Sequence, residues 1–192
     1  MMKAVVEKCR VLLDGFLHVE EVDVSFELHK GGMSPAVRRV NLKRKLAAAL
    51  VLVNLAKQTV ILVRQFRYAA LEHGNAWMVE VVAGLIDAGE SPEAAIRREA
   101  VEEAGYDVGK LEPIATFYTT PGFSSERIAL FYGETKGAEP ASKGGGLAEE
   151  GEDIEVLEVP FAEAFAMVDR GEIVDGKTLI GLLWLKQKLQ PR

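Results

Sequence analysis

Three acidic side chains that lie close together in the sequence are the first candidates for chemistry. When residues 91–104 are placed 100° apart, as in a helix, Glu99, Glu102 and Glu103 fall opposite the apolar face. Two interpretations are open. Acidic clusters are often solvated helix faces. Three carboxylates also supply the oxygen ligands that Mg²⁺ prefers, and a bound cation would offset their mutual repulsion.

Local signals define the helix that carries these acids. Ser91 suits the N-cap, Pro92 suits the first helical position, and Glu93 places an acid in the first turn. Gly105 stands where a glycine commonly ends a helix in the left-handed conformation. The sequence therefore predicts a helix from Ser91 to Ala104.

The acids belong to a longer pattern. It begins at Gly84, reaches Glu90 after five intervening residues, reaches Arg98 after seven more, and closes at Gly105. This spacing over residues 84–106 resembles the Nudix box at every fixed position. So many specified positions at fixed spacing rarely arise by chance, and the metal-site interpretation is therefore favoured over the solvated face.

The resemblance implies a fold, an activity and a cofactor. It implies the Nudix fold for most of the chain, which is an α/β (α+β) architecture with a mixed β-sheet sandwiched between helices. The implied reaction is hydrolysis of the pyrophosphate bond of a nucleoside diphosphate sugar. The implied cofactor is Mg²⁺, with Mn²⁺ as a possible substitute, because metal ions neutralise phosphate charge and help deprotonate water.

The same resemblance assigns roles residue by residue. The implied metal ligands are the carbonyl of Ala83 and the side chains of Glu99, Glu102, Glu103 and Glu152. The implied catalytic residues are Glu150, Glu152, Arg98 and Glu102. In this scheme Arg98 orients the carboxylates and also pairs with Glu90.

A glycine-rich stretch, Gly137–Gly151, carries Glu150, ends directly before Glu152 and reads as a flexible loop between two strands. Position matching favours Glu150 as the general base and Glu152 as a metal ligand. The alternative is that both are solvated loop acids. No Gly-Lys-Ser/Thr sequence follows the central glycines, so a phosphate-binding P-loop is not predicted.

Features outside the box narrow the substrate without choosing it. Pro121 and the stretch Ser124–Arg127 resemble the ADP-ribose pyrophosphatase group, whereas Gly171–Lys177 is more similar to the GDP-mannose pyrophosphatases. Implied substrate-binding residues are Arg38, Arg39, Arg67, Leu85 and Pro121. For Arg38 and Arg39 a solvated strand edge is the alternative. Two other functions stay open: hydrolysis of another nucleoside diphosphate derivative, and an ADP-ribose-sensing module without catalysis.

The elements that must position these residues follow from hydrophobic patterns and turn signals. Predicted strands are Phe16–Leu28, Ala36–Leu46, Ala47–Asn54, Val60–Gln65, Met78–Val82, Ile114–Tyr118, Ile128–Glu134 and Ile154–Val159, and later helices are Pro160–Arg170 and Lys177–Lys188. We expect residues 1–46 to form an N-terminal β lobe and residues 47–192 to form the hydrolase domain. The resemblance implies that the lobe packs in a homodimer interface.

Composition excludes several classes of partner. A net charge of −6 and a pI near 5.2 disfavour non-specific nucleic-acid binding, which requires positive charge. No apolar run approaches the roughly 20 residues of a membrane span. Cys9 is the only cysteine, so no intrachain disulfide is possible. With no signal peptide at the N-terminus, the sequence predicts a cytoplasmic protein that acts on a small phosphate-containing ligand.

Overall fold

The computed structural model describes residues 2–190, except for the side chain of Glu150. The chain divides into two compact units. The first comprises the chain up to Leu46 together with Tyr118–Arg127, and the second comprises Ala47–Phe117 and the chain from Ile128 onward.

The first unit is built on a three-stranded antiparallel sheet. Its strands β1 (Ala4–Asp14), β2 (His18–Phe26) and β3 (Val37–Lys43) follow one another in space as in sequence. Strand β1 is absent from the sequence prediction. All its residues are exposed, so neither face of the strand had to be apolar and no alternating pattern marks it.

The second unit contains a mixed sheet with the strand order β10-β5-β4-β9-β8, on which β6 pairs with β5 and β7 pairs with β4. The strands are β4 (Leu46–Asn54), β5 (Thr59–Phe66), β6 (Trp77–Glu80), β7 (Val82–Leu85), β8 (Val108–Tyr118), β9 (Arg127–Thr135) and β10 (Glu155–Pro160). The predicted hairpin of β4 and β5 is confirmed by the antiparallel pairing of Leu52 with Ile61.

Both faces of the central strand β4 are covered. Every residue from Ala48 to Val53 is fully buried, and side chains alternate between the faces of a strand, so neither face of β4 meets solvent. One face packs in a core that includes Leu182 and Leu185. The predicted mixed α+β fold, with helices on a sheet, is thereby confirmed.

The single strand predicted over Met78–Val82 is wrong, because the chain changes partner at Val81. Residues before it pair with β5 through Glu80 opposite Val63, and residues after it pair with β4 through Val82 opposite Leu50. The N–H group of Val81 bonds to the Thr178 hydroxyl at 2.8 Å instead of to a strand.

Three α-helices complete the second unit: α1 (Pro92–Ala104), α2 (Phe161–Asp169) and α3 (Gly176–Lys188). The predicted caps of α1 are present. Ser91 Oγ accepts a hydrogen bond from the Ala94 N–H at 3.1 Å, and Gly105 ends the helix at φ 77°. Within residues 2–190, no helix is long and apolar enough to span a membrane.

Candidate functional site

The acidic helix α1 packs against strand β7, and the two elements together hold most of the candidate metal ligands. Glu99 and Glu102 keep 14% and 25% of their side-chain surface exposed. Glu103 differs from the sequence expectation. Helical periodicity groups it with the polar face, but the residue is only 2% exposed.

Arg98 links four parts of this site. Its Nη1 lies 2.8 Å from Glu99 Oε1 and 2.9 Å from Glu102 Oε2. Its Nε and Nη2 donate to the two carboxylate oxygens of Glu90 at 3.3 and 3.2 Å, and Nη2 also reaches the Leu85 carbonyl at 3.2 Å. One guanidinium therefore fixes the loop before α1 and two acids on the helix.

Gly84 allows Glu99 to approach strand β7. A Cβ atom at residue 84 would overlap the Glu99 carboxylate, so only glycine leaves room for that side chain beside the strand. The glycine of the sequence pattern is thus explained by close packing of backbone against an acid, without any requirement for unusual backbone angles.

Glu103 is a buried acid. Its Oε2 accepts a hydrogen bond from the Ala83 N–H at 3.1 Å. Burial raises its pKa to about 8 despite that hydrogen bond, and the charges of Glu99 and Glu152 act in the same direction as burial. Burial likewise raises the pKa of Glu99. Burial thus favours the neutral form of both acids, and a bound cation would favour their charged form.

Glu152 joins the acids of α1 from a distant part of the sequence. Its charge acts on both Glu99 and Glu103, and its Oε2 accepts a hydrogen bond from the Leu147 N–H at 3.0 Å. Glu150 ends a short 3-10 helix, Ala148–Glu150, that precedes it. The side chain of Glu150, the predicted base, lies outside the described part of the structure.

A second charged cluster lies at the partner switch between β6 and β7. Arg67 donates to both carboxylate oxygens of Glu80, with Nε at 2.9 Å and Nη2 at 2.7 Å, and Lys177 Nζ donates to Glu80 at 2.9 Å. Burial favours the neutral acid, but Arg67 and Lys177 outweigh it and lower the pKa of Glu80. The negative charge of Glu103 also helps to raise the pKa of Arg67.

Sequence reasoning did not identify Glu80 and Lys177 as parts of this cluster. The side chain of Glu80 is 2% exposed and that of Lys177 is 9% exposed. A signal for Glu80 was available, because a lone acid in the apolar run MVEVV has to find a partner if the strand is buried. Its partner on α3 lies 97 residues away, beyond the reach of any local pattern.

The remaining predicted substrate residues belong to the first unit. Arg38 and Arg39 are exposed on β3, where Arg38 Nε pairs with Asp23 at 3.1 Å and Arg39 Nη1 donates to the Arg38 carbonyl at 2.9 Å. Pro121 is exposed between β8 and β9. The structure therefore brings together Ala83, Leu85, Arg98 and the acids of α1, with Glu152 beside them, but Arg38, Arg39 and Pro121 are in another unit.

The donor set of the site suits a hard divalent cation. It offers carboxylate oxygens and a backbone carbonyl, which Mg²⁺ prefers, and a bound cation would offset the burial that raises the pKa values of Glu99 and Glu103. Across residues 2–190, no three acidic, histidine or cysteine side chains stand ready to hold a metal as they are placed. Arg98, which pairs with Glu99 and Glu102, is the cation that a metal would have to displace from them.

Comparisons with known proteins agree with this geometry. A family model described as NUDIX domain matches residues 43–179. The chain is 42% identical over 180 residues to a GDP-mannose pyrophosphatase of Salmonella arizonae, covering 93% of this chain and 92% of that protein. It is 39% identical over 181 residues to a GDP-mannose pyrophosphatase of Escherichia coli O1:K1 / APEC, covering 93% of each.

A solved structure shares the fold. The crystal structure of an ADP compounds hydrolase matches with a TM-score of 0.73, covering 97% of this chain and 94% of that chain. Its sequence identity to this chain is 20%, so the match supports the architecture described above.

Proposed function

This chain belongs to the Nudix family, and on that premise we propose that it hydrolyses GDP-mannose to GMP and mannose 1-phosphate with Mg²⁺. Its NUDIX domain and its similarity to GDP-mannose pyrophosphatases identify it as a pyrophosphatase. The observation that carries the proposed chemistry is the grouping of three acids on α1: Glu99 and Glu102 bind Arg98, Glu99 lies against Gly84, and Glu103 accepts from the Ala83 N–H. The choice of GDP-mannose is supported by the 42% identity over nearly the whole chain.

In this proposal the metal ligands are the Ala83 carbonyl and the carboxylates of Glu99, Glu102, Glu103 and Glu152. When bound there, Mg²⁺ or Mn²⁺ would neutralise phosphate charge and lower the pKa of the attacking water. The protein itself places the carboxylates through the Ala83 N–H bond to Glu103 and, until a metal takes over Glu99 and Glu102, through the Arg98 contacts. Once these ligands hold the metal, their fixed places on the helix lower the barrier, because the charges are already oriented toward the phosphate.

Proton transfer from water needs an acceptor close to the diphosphate. Glu150 and Glu152 are the proposed bases, as they lie in the segment that reaches the acidic helix. A carboxylate that takes the water proton would contribute about 100-fold or more to the rate. Replacing each by glutamine separately identifies the base, because loss of the base should lower kcat and leave Mn²⁺ binding unchanged, whereas loss of a metal ligand should lower both.

Cationic and apolar groups are proposed to hold the substrate. Arg67 keeps 42% of its side chain exposed while it pairs with Glu80, so part of the guanidinium is available to a phosphate or sugar hydroxyl. Leu85 is exposed at the end of β7, next to Arg98. Arg38, Arg39 and Pro121 stay predictions as substrate contacts, which alanine variants would test through an increase in KM.

A homodimer is the proposed assembly. Strand β1 exposes Val5, Val6, Val11, Leu12 and Leu13, each at 45% or more of its surface. An exposed edge strand with this much apolar surface favours association. Light scattering on the eluting peak should give twice the chain mass of 21.0 kDa, and Val6→Lys should shift it toward the single mass. A wild-type mass of one chain at micromolar concentration would refute the assembly.

The proposed compartment is the cytoplasm. A lone cysteine, Cys9, allows no intrachain disulfide, which agrees with the cytosol, where disulfides are rare.

The direct test is hydrolysis of GDP-mannose and ADP-ribose side by side, with Mg²⁺ and with EDTA, and product identification by ion-exchange chromatography. We expect Mg²⁺-dependent release of GMP and mannose 1-phosphate. Faster cleavage of ADP-ribose would reject the substrate but keep the reaction class. Cleavage of neither by a folded protein would favour another nucleoside diphosphate derivative or a non-catalytic sensing module.

Glu103→Gln tests the metal helix itself. Glutamine keeps an oxygen that accepts the Ala83 N–H, so the fold should survive, but it removes the charge that a cation needs. Turnover should fall by about 100-fold or more. Glu93→Gln is the matched control, since Glu93 is an exposed acid in the first turn of the same helix. Equal activity of both variants would contradict the assigned role.

A further inference from the structure

We propose that the glycine triplet Gly144–Gly146 is a positioning element of the active site, which docks on the end of helix α1 and sets the place of Glu152. The inference rests on the proposed function, because it gives the triplet a task in that site. The sequence predicts this segment only as a flexible loop. The structure shows a defined docking arrangement built from three independent features.

The first feature is the backbone conformation. The φ angles of Gly144, Gly145 and Gly146 are +63°, +103° and +79°. L-amino acids with side chains rarely adopt such angles, and three in succession are available only to glycine at low cost. The triplet therefore follows a path that another sequence would not take.

The second feature is a pair of hydrogen bonds to the metal helix. The Gly145 N–H donates to the Glu103 carbonyl at 2.8 Å, and the Gly146 N–H donates to the Glu102 carbonyl at 3.0 Å. Carbonyls in the last turn of a helix lack partners within the helix. The triplet supplies these partners and attaches itself to the backbone of two candidate metal ligands.

The third feature is the lack of space for side chains. A Cβ atom at Gly144 would stand 2.6 Å from the Glu103 carbonyl oxygen and 2.8 Å from the Ala104 carbonyl carbon. A Cβ atom at Gly146 would stand 2.6 Å from Glu152 Oε2. One glycine is thus pressed against the helix backbone and the other against the acid that it positions.

The turn that carries Glu152 begins and ends beside the triplet. The Ile154 N–H donates to the Gly145 carbonyl at 3.1 Å, and the Leu147 N–H donates to the Glu152 carboxylate at 3.0 Å. Glu152 therefore stands on a short turn whose two ends meet at the triplet. Because the triplet is bonded to Glu102 and Glu103, the position of Glu152 relative to the helix depends on the glycines.

The test compares two alanine variants with similar backbone cost. Gly144→Ala introduces a side chain at φ +63° against the helix backbone, whereas Gly171→Ala introduces one at φ +73° with no atom within 4 Å. Each variant is measured for melting temperature, for kcat and KM on GDP-mannose, and for Mn²⁺ binding by electron paramagnetic resonance. The Mn²⁺ measurement needs no turnover.

We expect Gly144→Ala to lower kcat by about 100-fold with a small change in KM, and to weaken Mn²⁺ binding by about tenfold. Gly171→Ala should leave kcat and Mn²⁺ binding close to wild type. If Gly144→Ala does not fold, Gly146→Ala decides, because its Cβ meets only the side chain of Glu152 and Ile154.

Two outcomes separate this inference from the proposed function. If the wild-type chain cleaves no substrate but Gly144→Ala still loses Mn²⁺ affinity relative to Gly171→Ala, the proposed function fails and the positioning role stands. If a folded Gly144→Ala matches Gly171→Ala in both kcat and Mn²⁺ binding, the positioning role is overturned.

Discussion

Replacement of Thr178 by valine should destabilise the protein although valine has almost the same shape. The hydroxyl of Thr178 accepts from the Val81 N–H at 2.8 Å and donates to Asp175 Oδ2 at 2.6 Å. Both Thr178 and Val81 are fully buried, so water cannot replace the lost partner. The N–H group left unsatisfied costs about 1–3 kcal/mol, and the hydrogen bond lost to Asp175 costs about 1 kcal/mol more.

The sum is a loss of about 2–4 kcal/mol, since valine creates no cavity and Asp175 keeps its hydrogen bond from the Thr178 N–H. For a chain of this size each kcal/mol lowers Tm by about 2–4 °C, which gives a decrease of roughly 4–16 °C. Differential scanning calorimetry measures the change. Thr178→Ser is the control, because it keeps the hydroxyl and loses only a methyl group, at about 1 kcal/mol.

The reasoning is refuted if Thr178→Val is as stable as Thr178→Ser, because the hydroxyl would then contribute no more than the methyl group that serine lacks. Valine keeps the shape of threonine but lacks its hydroxyl, whereas serine keeps the hydroxyl but lacks the methyl group. The comparison therefore separates the contribution of the hydroxyl from that of the methyl group. A larger loss for Thr178→Val would show that the Thr178 hydroxyl, through its bonds with Val81 and Asp175, stabilises the strand switch.

Two further predictions concern the neighbouring elements. Gly84→Ala should lower kcat by about 100-fold with a small effect on Tm, since its Cβ displaces the Glu99 side chain without moving backbone; an unchanged kcat would contradict the close packing. The lowered pKa of Glu80 means that its ion pairs stabilise the protein fully above its ordinary pKa of 4.5 and lose effect as pH falls through its lower folded value. The Tm of the wild-type protein should therefore decrease below pH 4.5. Glu80→Gln should lower Tm at neutral pH and make it less dependent on pH below 4.5. Parallel curves of Tm against pH for wild type and variant would refute the role of these ion pairs.

Several parts of the site could be read from sequence because their signals are local. The N-cap of α1 depends on a hydrogen bond that Ser91 accepts from the N–H group three positions later, and the end of the helix depends on the backbone of Gly105. The hairpin of β4 and β5 is likewise marked by two short apolar runs around a polar turn. In each case the interacting atoms lie a few residues apart, so pattern and structure coincide.

The environment of the acids could not be predicted in the same way. Periodicity placed Glu103 with Glu99 and Glu102 on one face of α1, but the structure buries it beside Ala83 and closes the end of the helix with Gly145. Burial of a side chain is decided by whichever segment packs over it. That segment comes from another part of the chain, and helical periodicity contains no information about it.

The sequence by itself determined the reaction class, through residue types at fixed spacing along one helix and the loop before it. Only the tertiary structure decided which of the acids is buried. It also decided that Arg67 and Lys177 hold Glu80, and that the Thr178 hydroxyl accepts the Val81 N–H at the strand switch. The physical reason is one of range. Caps and helical faces arise from neighbours within about four residues, whereas charge compensation and burial depend on contacts that chain folding alone creates.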